Sequence, residues 1–249
     1  MTIYAISDLH LSFNTNKPMN IFGDHWENYE QRILDDWNSK LDEHDIGVIA
    51  GDISWAMKMS ETNLDFEYLK KLNGQKVIIR GNHDYWWKSI TKIREELGPN
   101  IHVLQNDAIR LEFPSRGVPH SDGVCDDGGI VLAGTRGWKV PERKQPQKPD
   151  DKKIYEREIL RFELALKDAK TKMHDEDKLV AVIHYPPFNA THDDSPFTKL
   201  CDKFEVDACI YGHLHGNPGR VALEVTKNKT KYYLTSCDIV GHKVVEINL

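Results

Sequence analysis

Aspartate, histidine and asparagine side chains follow apolar runs at five places in the sequence. The polar segments are Asp8-Leu9-His10, Gly51-Asp52, Gly81-Asn82-His83-Asp84, His184 and Gly212-His213-Leu214-His215. Each preceding run has the length and composition of a buried strand. Because open α/β sheets bind ligands outside the carboxyl ends of their strands, this pattern predicts one shared metal site. Oxygen and imidazole ligands without a thiolate suit Mn, Fe, Zn or Co.

The number of these polar side chains is sufficient for two ions. Two ions about 3.5 to 4 Å apart need a bridging carboxylate, and they can neutralise a phosphoryl group during in-line displacement. If the extended conformation continues beyond the strands, Asp8 and His10 project to the same side, as do His213 and His215. A glycine directly precedes Asp52 and two other candidate ligands, and we expect it to let the backbone turn sharply there.

Helical patterns alternate with the predicted strands. Apolar spacing predicts helices over residues 26–41, 61–72, 86–97, 154–173 and 197–204. Strand, helix, strand order predicts right-handed parallel crossovers. Short strands are predicted within residues 101–113, and antiparallel strands are predicted over residues 221–225, 232–235 and 244–247. Residues 11–24 and 139–153 are predicted loops, and it stays open whether either one covers the site.

Length and composition favour one soluble domain. The candidate ligands span most of the 249 residues, so we predict a single domain over residues 1–249. The net charge of -6 argues against an extended nucleic-acid partner. The cysteines have no C-x-x-C spacing, which predicts reduced thiols at Cys125, Cys201, Cys209 and Cys237. With no leader pattern and no apolar run of about 20 residues, we predict a cytoplasmic protein without a membrane segment.

The five polar segments resemble the calcineurin-like metallophosphoesterase superfamily. They match its D-x-H, G-D, G-N-H-[DE], lone histidine and G-H-x-H motifs in the same order. The resemblance implies an α/β fold, a four-layer sandwich of two mixed β-sheets flanked by helices. It also implies hydrolysis of a phosphate mono- or diester, on a small molecule or nucleotide, by metal-bound hydroxide. The cofactors implied are two divalent or mixed-valence ions, with Mn, Fe or Zn expected.

The resemblance also implies a role for each motif residue. One ion would be held by Asp8, His10 and His215, the other by Asn82, His184 and His213, with Asp52 bridging the two. Asn82 and His83 would contact the substrate. His83 would not be a ligand; it would protonate the leaving oxygen or stabilise the phosphoryl group, a task suited to a side chain that exchanges protons near neutral pH.

The sequence departs from the protein-phosphatase branch of that superfamily. The branch reads G-D-x-x-D-R-G, whereas residues 51–57 read G-D-I-S-W-A-M and lack both the second aspartate and the arginine. The residue that orients His83 is therefore unassigned. Asp84 is one candidate, and a purely structural carboxylate is the alternative for it. The departure argues against a dedicated phosphoprotein phosphatase.

Two further features have alternative interpretations. Arg136 lies between glycines at a strand end, where it would grip a substrate phosphate or pair with a carboxylate. Trp55, Trp86 and Trp87 follow candidate ligands and would stack on an aromatic group or pack in the core. Two other functions stay open: a nuclease of the same superfamily, which should carry a basic groove, and a metal-binding interaction scaffold without turnover.

Overall fold

The computed structural model describes residues 2–112, 128–143 and 148–249. Its strands, in chain order, are β1 (Ile3–Ile6), β2 (Ile46–Ile49), β3 (Gln75–Ile79), β4 (Ile101–Leu104), β5 (Asp107–Leu111), β6 (Ile130–Thr135), β7 (Lys178–Ile183), β8 (Ala208–Tyr211), β9 (Glu224–Lys227), β10 (Thr230–Leu234) and β11 (Val245–Ile247). They form two mixed sheets, ordered β11-β1-β2-β3-β4 and β5-β6-β7-β8-β10-β9.

Five α-helices occur in the described residues. They are α1 (Tyr29–Lys40), α2 (Asn63–Lys70), α3 (Ile90–Leu97), α4 (Pro149–Lys172) and α5 (Pro196–Lys203). Short 3-10 turns occupy Met19–Phe22, Asp24–Trp26, Met59–Glu61 and Pro218–Arg220. The parallel pairings β1 with β2, β2 with β3 and β7 with β8 confirm the predicted parallel strands.

Both faces of the sheets are buried, which gives four layers. Along β2, Val48 points into the core between the sheets and Ile49 into the core under α1, α2 and α3. The outer face of the second sheet packs against α4 and α5, through residues such as Phe162 and Phe197. Because both faces of each sheet are covered, the side chains that point to either face are apolar. This explains the continuous apolar runs in the sequence. The predicted four-layer sandwich is confirmed.

Helix α3 begins four residues later than the apolar spacing indicates. Trp86 Nε1 donates to Asp84 Oδ1 at 3.1 Å, and Trp87 Nε1 donates to Gln105 Oε1 at 2.7 Å. These contacts hold the two indoles in a non-helical segment. The helix starts only after Ser89, whose side chain caps it.

The segment 139–153 was predicted to be a loop, and this is wrong for its last five residues. Helix α4 begins at Pro149, whose fixed φ suits the first helical turn. Asp150 and Asp151 also lie in that turn, where carboxylates interact favourably with the helix dipole. Proline and charged residues, which are typical of loops, therefore lie here at the start of a helix. Residues 144–147 lie outside the described residues.

The C-terminal strands are only partly antiparallel. Strand β9 pairs with β10 in the antiparallel sense, but β10 runs parallel to β8. Strand β11 leaves this sheet altogether and pairs antiparallel with β1 in the other sheet. The two sheets share the core between them. The single domain over residues 1–249 stays a prediction. Within the described ranges, no helix combines the length and apolarity needed to cross a bilayer.

Candidate metal centre

The candidate ligands meet where the carboxyl edges of the two sheets adjoin. Backbone hydrogen bonds hold this junction together: Ser7 N, after β1, donates to Thr235 O, after β10, at 2.9 Å, and Cys237 N donates to Ser7 O at 3.0 Å. A third contact joins the sheets directly, because His184 Nδ1 donates to Ala50 O at 2.9 Å. The five segments singled out in the sequence therefore lie around one space, as the strand-end rule predicts.

One group of possible ligands consists of Asp8, His10 and His215. Their ligand atoms all lie within 4.8 Å of one another. His10 Nε2 lies 3.4 Å from His215 Nε2, which in turn lies 3.6 Å from Asp8 Oδ1. Asp8 is fully buried and His10 is 2% exposed. The grouping is the one that the resemblance implies for the first ion.

A second group consists of Asp52, His184 and His213, whose ligand atoms also lie within 4.8 Å of one another. His184 Nε2 lies 3.4 Å from Asp52 Oδ2 and 2.8 Å from Asn82 Oδ1. The hydrogen bond from Nδ1 of His184 to a backbone carbonyl leaves its Nε2 free for a ligand role. Asn82 therefore adjoins this group.

Asp52 belongs to the second group and also lies beside the first. Its Oδ2 is 3.4 Å from His184 Nε2 and 4.0 Å from His10 Nε2. Its other oxygen, Oδ1, accepts the backbone N–H of His83 at 2.7 Å, which fixes the carboxylate. This position is the one that a bridging carboxylate requires.

The unpartnered atoms of the site fit metal ions. Asp8 Oδ2 accepts hydrogen bonds from Ser7 Oγ, Ser236 Oγ and His213 N. In contrast, Asp8 Oδ1 and Asp52 Oδ2 are buried without a hydrogen-bond partner among the described residues. A buried carboxylate oxygen without a partner is costly, and a cation removes that cost. The mixed oxygen and imidazole set suits Mn, Fe or Zn.

Carboxylates and imidazoles of the site stabilise each other's charges when no ion is bound. Burial opposes ionisation of Asp8 and Asp52, but neighbouring histidines outweigh it and lower the pKa of both carboxyls. Burial also opposes the charge of His184, yet Asp52 raises its pKa to about 9. Burial lowers the pKa of His10 and His213 to about 4. Metal ions would displace the proton of His184, because a ligating imidazole is neutral.

The backbone at the site is not extended, contrary to the expectation for i and i+2 neighbours. Strand β1 ends at Ile6, and the φ angles of Asp8 and His10 are 59° and 48°. Asp52 and His213 also have positive φ, at 51° and 72°. Left-handed conformations cost non-glycine residues free energy and cluster at functional sites. The side chains converge through these turns rather than through strand alternation.

The glycines of the motifs serve two different purposes. Gly51, with φ of 91°, provides the sharp turn that we expected. At Gly81, an added Cβ would lie 2.1 Å from Asp52 Oδ1 and 2.2 Å from Asp52 N. At Gly212, it would lie 2.5 Å from Asp8 Oδ2. These two glycines are needed because the backbone passes directly against the carboxylates, so the expected turn is correct only at Gly51.

Replacing Gly81 with alanine is expected to displace Asp52 and to destabilise the fold by about 1–3 kcal/mol. The contact is with backbone and with a fixed carboxylate, so no flexible side chain can move aside. Thermal unfolding and elemental analysis for bound metal check this. Gly219→Ala is the matched control, because its nearest neighbour would be 3.4 Å away. Equal melting temperatures and metal contents in the two variants would contradict the prediction.

Asp238 supports His215 and carries no sequence signal, since it belongs to none of the motifs. Its Oδ1 lies 3.0 Å from His215 Nδ1, and its Oδ2 accepts the backbone N–H of Gly216 at 3.0 Å. Burial disfavours the charged imidazole, but the hydrogen bonds to Asp238 and Asp8 outweigh it and raise the pKa of His215 to about 10. The contact orients the ring with Nε2 toward Asp8.

We expect Asp238→Asn to weaken metal binding by about 10- to 100-fold, as loss of a carboxylate behind a ligating histidine does. Competition with a chromogenic chelator measures the affinity. Asp175→Asn is the control, because that carboxylate is exposed and lies outside the site. Unchanged affinity in Asp238→Asn would show that the imidazole needs no such support.

His83 belongs to neither group, as expected. Its ring centroid lies 4.6 Å from that of Trp55 and 5.6 Å from that of His10. Its Nδ1 is buried and has no hydrogen-bond partner in the part of the chain that the structure describes. Asp84 does not orient it: that carboxylate accepts N–H groups from Ile53, Ser54, Gly81 and Trp86. Asp84 is thus the structural alternative.

A cavity of about 570 Å³ opens beside the first group. Its lining includes His10, His83, His215, Trp55, Met19 and Phe22. Residues 11–24 therefore border the site, since Met19 and Phe22 come from that segment. Trp55 stacks on His10 with ring centroids 4.7 Å apart. Trp86 and Trp87 are buried in the core and are not available for stacking.

Arg136 is paired with a carboxylate. Its Nη2 lies 3.5 Å from Glu158 Oε1, and its guanidinium lies 4.8 Å from the centroid of the Trp138 ring. Its backbone carbonyl accepts the N–H groups of His184 and Tyr185. The residue thus adjoins the site through its backbone, while its side chain lines a separate cavity.

Three solved structures share the fold at low sequence identity. TT1561 of Thermus thermophilus has a TM-score of 0.58 and 11% identity over 99% of this chain and 97% of that one. Phosphopantetheinyl hydrolase PptH of Mycobacterium tuberculosis has a TM-score of 0.56 and 14% identity over 94% of this chain and 88% of that one. GAP50, the anchor in the inner membrane complex of Plasmodium, has a TM-score of 0.55 and 14% identity over 96% of this chain and 72% of that one.

The family of the chain follows from its sequence rather than from these structures. No curated protein sequence matches it. The sequence profile of calcineurin-like phosphoesterases, however, matches residues 1–217, which is most of the chain. The matched range contains all five motif segments, four of which supply the two groups of possible ligands. The chain therefore belongs to the calcineurin-like phosphoesterase family.

Proposed function

We propose that this protein hydrolyses a phosphate mono- or diester of a small molecule with the help of two metal ions. The observation that carries the proposal is the pair of buried carboxylate oxygens, Asp8 Oδ1 and Asp52 Oδ2, that face imidazoles and have no partner among the described residues. Members of this family are generally hydrolases that depend on two metal ions. The proposal assigns that chemistry to the junction of the two sheets.

The proposed ligands are the two groups together with Asn82, and Asp52 is assigned to both ions. Asp8, His10 and His215 would hold one ion, and Asn82, His184 and His213 the other, with Asp52 between them. When bound, the ions supply positive charge for the phosphoryl group and activate water. The chain itself fixes the ligand geometry, because each carboxylate is held by hydrogen bonds to one oxygen only.

His83 is the proposed proton donor or phosphoryl contact. It lines the 570 Å³ cavity and is held by its backbone N–H to Asp52. Burial lowers the pKa of His83, which favours the neutral ring in the free protein. A phosphate dianion beside the ring would favour the protonated form again. Protonation would thus accompany substrate binding, in the position where a leaving oxygen needs a proton.

The cavity supports a substrate with an apolar or aromatic leaving group. Its volume lies in the range of about 300–1,000 Å³ that is typical of small-molecule sites. Trp55, Met19 and Phe22 give it an apolar wall, and Lys17 Nζ lies 4.6 Å from the centroid of the Trp55 ring. An aromatic group or nucleobase could pack there while the cation attracts the phosphate.

The test is hydrolysis of p-nitrophenyl phosphate and bis-p-nitrophenyl phosphate by metal-stripped protein reconstituted with Mn. Turnover should require metal and should return when the metal is restored. Turnover of the diester would identify a phosphodiesterase, and turnover of the monoester alone a phosphatase. Absence of turnover with both substrates, in protein shown to hold two ions per chain, would contradict a general phosphoesterase and favour a narrow substrate or a binding role.

Several finer assignments belong to the same proposal. We propose a cytoplasmic location, supported by the free thiols of Cys201, Cys209 and Cys237; Cys125 lies outside the described residues. Arg136 remains a proposed phosphate contact through the neighbouring cavity. The net charge of -6 supports a small substrate over extended nucleic acid.

A further inference from the structure

Four arginines line a second cavity at the same edge of the sandwich. The cavity has a volume of about 250 Å³ and is lined by Arg80, Arg136, Arg157 and Arg161, together with Leu104, Gln105, Asn106 and Glu158. Its walls come from the ends of β3, β4 and β6 and from one face of α4. We call this cavity the arginine pocket. None of its lining residues belongs to the two ligand groups.

The arginine pocket has an excess of positive charge. Glu158 is 1% exposed, and its Oε1 lies 2.7 Å from Arg161 Nη1 and 3.5 Å from Arg136 Nη2 and from Arg157 Nη2. One carboxylate therefore serves three guanidinium groups. Arg80 has no carboxylate partner in the described part of the chain, so the lining holds four positive charges and one negative charge.

The excess charge is costly for Arg80 in particular. Arg80 is half-buried and shares the lining of the cavity with three other guanidinium groups. Its Nε is buried and has no hydrogen-bond acceptor among residues 2–112, 128–143 and 148–249. A buried donor without an acceptor destabilises the protein. A bound anion would supply both the acceptor and the missing negative charge.

We propose that the arginine pocket binds a phosphate group at a site separate from the metal centre. Guanidinium groups bind phosphate oxygens through two parallel N–H bonds, and several of them can surround one tetrahedral anion. A phosphate dianion offsets more of the excess charge than a carboxylate does. The pocket is smaller than the range of about 300 Å³ and above that drug-sized ligands occupy, so its ligand is small.

Two sources of this phosphate group fit the position of the pocket. Arg80 directly precedes the segment Gly81-Asn82-His83, and the carbonyl of Arg136 accepts the N–H of His184. The pocket and the metal centre therefore share two pieces of backbone. A second phosphate group of the substrate would be held in the pocket, or free inorganic phosphate would bind there next to the metal centre.

Calorimetric titration of inorganic phosphate into the metal-loaded protein tests the pocket. We expect two binding events, one at the metal centre and one in the arginine pocket. Arg157→Gln and Arg161→Gln should each weaken the second event by about tenfold or more, since each removes a charged hydrogen-bond donor. Glu158→Gln should strengthen it, because it removes the negative charge of the pocket. Lys170→Gln, an exposed charge change on the same helix, is the control.

The variants with opposite expected effects separate this proposal from simple damage to the fold. Arg157 is 52% exposed at its side chain, so its replacement carries little risk for folding. A phosphate affinity that is equal in Arg157→Gln, Glu158→Gln and the control would overturn the proposal. If the metal-loaded protein shows only the binding event in the arginine pocket, that result counts against the proposed function but not against phosphate binding in the pocket.

A kinetic comparison then identifies the source, and this step rests on the proposed function. The substrates are a nucleoside 3′,5′-bisphosphate and p-nitrophenyl phosphate. If the pocket holds a second phosphate of the substrate, Arg161→Gln should raise the KM of the bisphosphate about tenfold more than the KM of p-nitrophenyl phosphate. An equal change in both KM values, together with loss of the calorimetric event, would assign the pocket to free phosphate.

Discussion

Asp52→Asn is expected to lower kcat by about three orders of magnitude and to lower the metal content. The carboxylate is 1% exposed, its Oδ1 is already used by the N–H of His83, and its Oδ2 faces both ligand groups. An amide has no charge to share between two cations, and it would place either an N–H₂ group or a weak acceptor there. Losing one preorganised electrostatic contact of this kind costs about 10²- to 10³-fold, and loss of an ion adds to it.

Elemental analysis and steady-state kinetics of p-nitrophenyl phosphate hydrolysis check this expectation. Asp175→Asn makes the same chemical change at an exposed position and should behave as the unaltered protein. Thermal unfolding separates loss of the site from loss of the fold. A variant with full metal content and normal kcat would show that Asp52 does not bridge the ions.

His83→Ala is expected to lower kcat by about 10²- to 10⁴-fold while both ions stay bound. The side chain lines the cavity but contributes no atom to either ligand group. The effect should depend on the leaving group. p-Nitrophenolate leaves readily without a proton, whereas an alkoxide does not. An alkyl phosphate should therefore lose more activity than p-nitrophenyl phosphate if His83 is the proton donor.

His174→Ala provides the control, because that histidine is exposed and belongs to none of the motifs. An equal loss for both leaving groups would assign His83 to contact with the phosphoryl group instead. A lower metal content in His83→Ala would contradict its separation from the ligands. Unchanged kcat would remove His83 from the reaction.

The sequence predicted which side chains lie together because their signals are local. Each of the five polar segments directly follows an apolar run. This order is visible in the sequence without knowing which strands pair with one another. The group Asp8, His10 and His215 is the set that the family resemblance implies for one ion, whereas the second group contains Asp52 with His184 and His213, and Asn82 only adjoins it. Their function as ligands stays a prediction until metal binding is measured.

The local geometry was predicted less well. Alternation along an extended strand implied that Asp8 and His10 share a side, but both residues have left-handed φ angles. The glycine at position 81 was interpreted as a turn and instead allows the backbone to approach Asp52. Apolar spacing also placed Trp86 in a helix, although hydrogen bonds to side chains hold the indole outside it. Spacing alone does not reveal such contacts.

By itself, the sequence determined that this is an α/β chain with carboxylate, amide and imidazole side chains at the carboxyl ends of its strands. These properties depend on residue type and on short-range periodicity. Only the tertiary structure decided how the strands divide between two sheets, because strand pairing joins segments as distant as β1 and β11. It also decided the support of His215 by Asp238 and the convergence of Arg80, Arg136, Arg157 and Arg161 on one cavity. In each case the partners come from separate segments, and their contact depends on the packing of the whole fold.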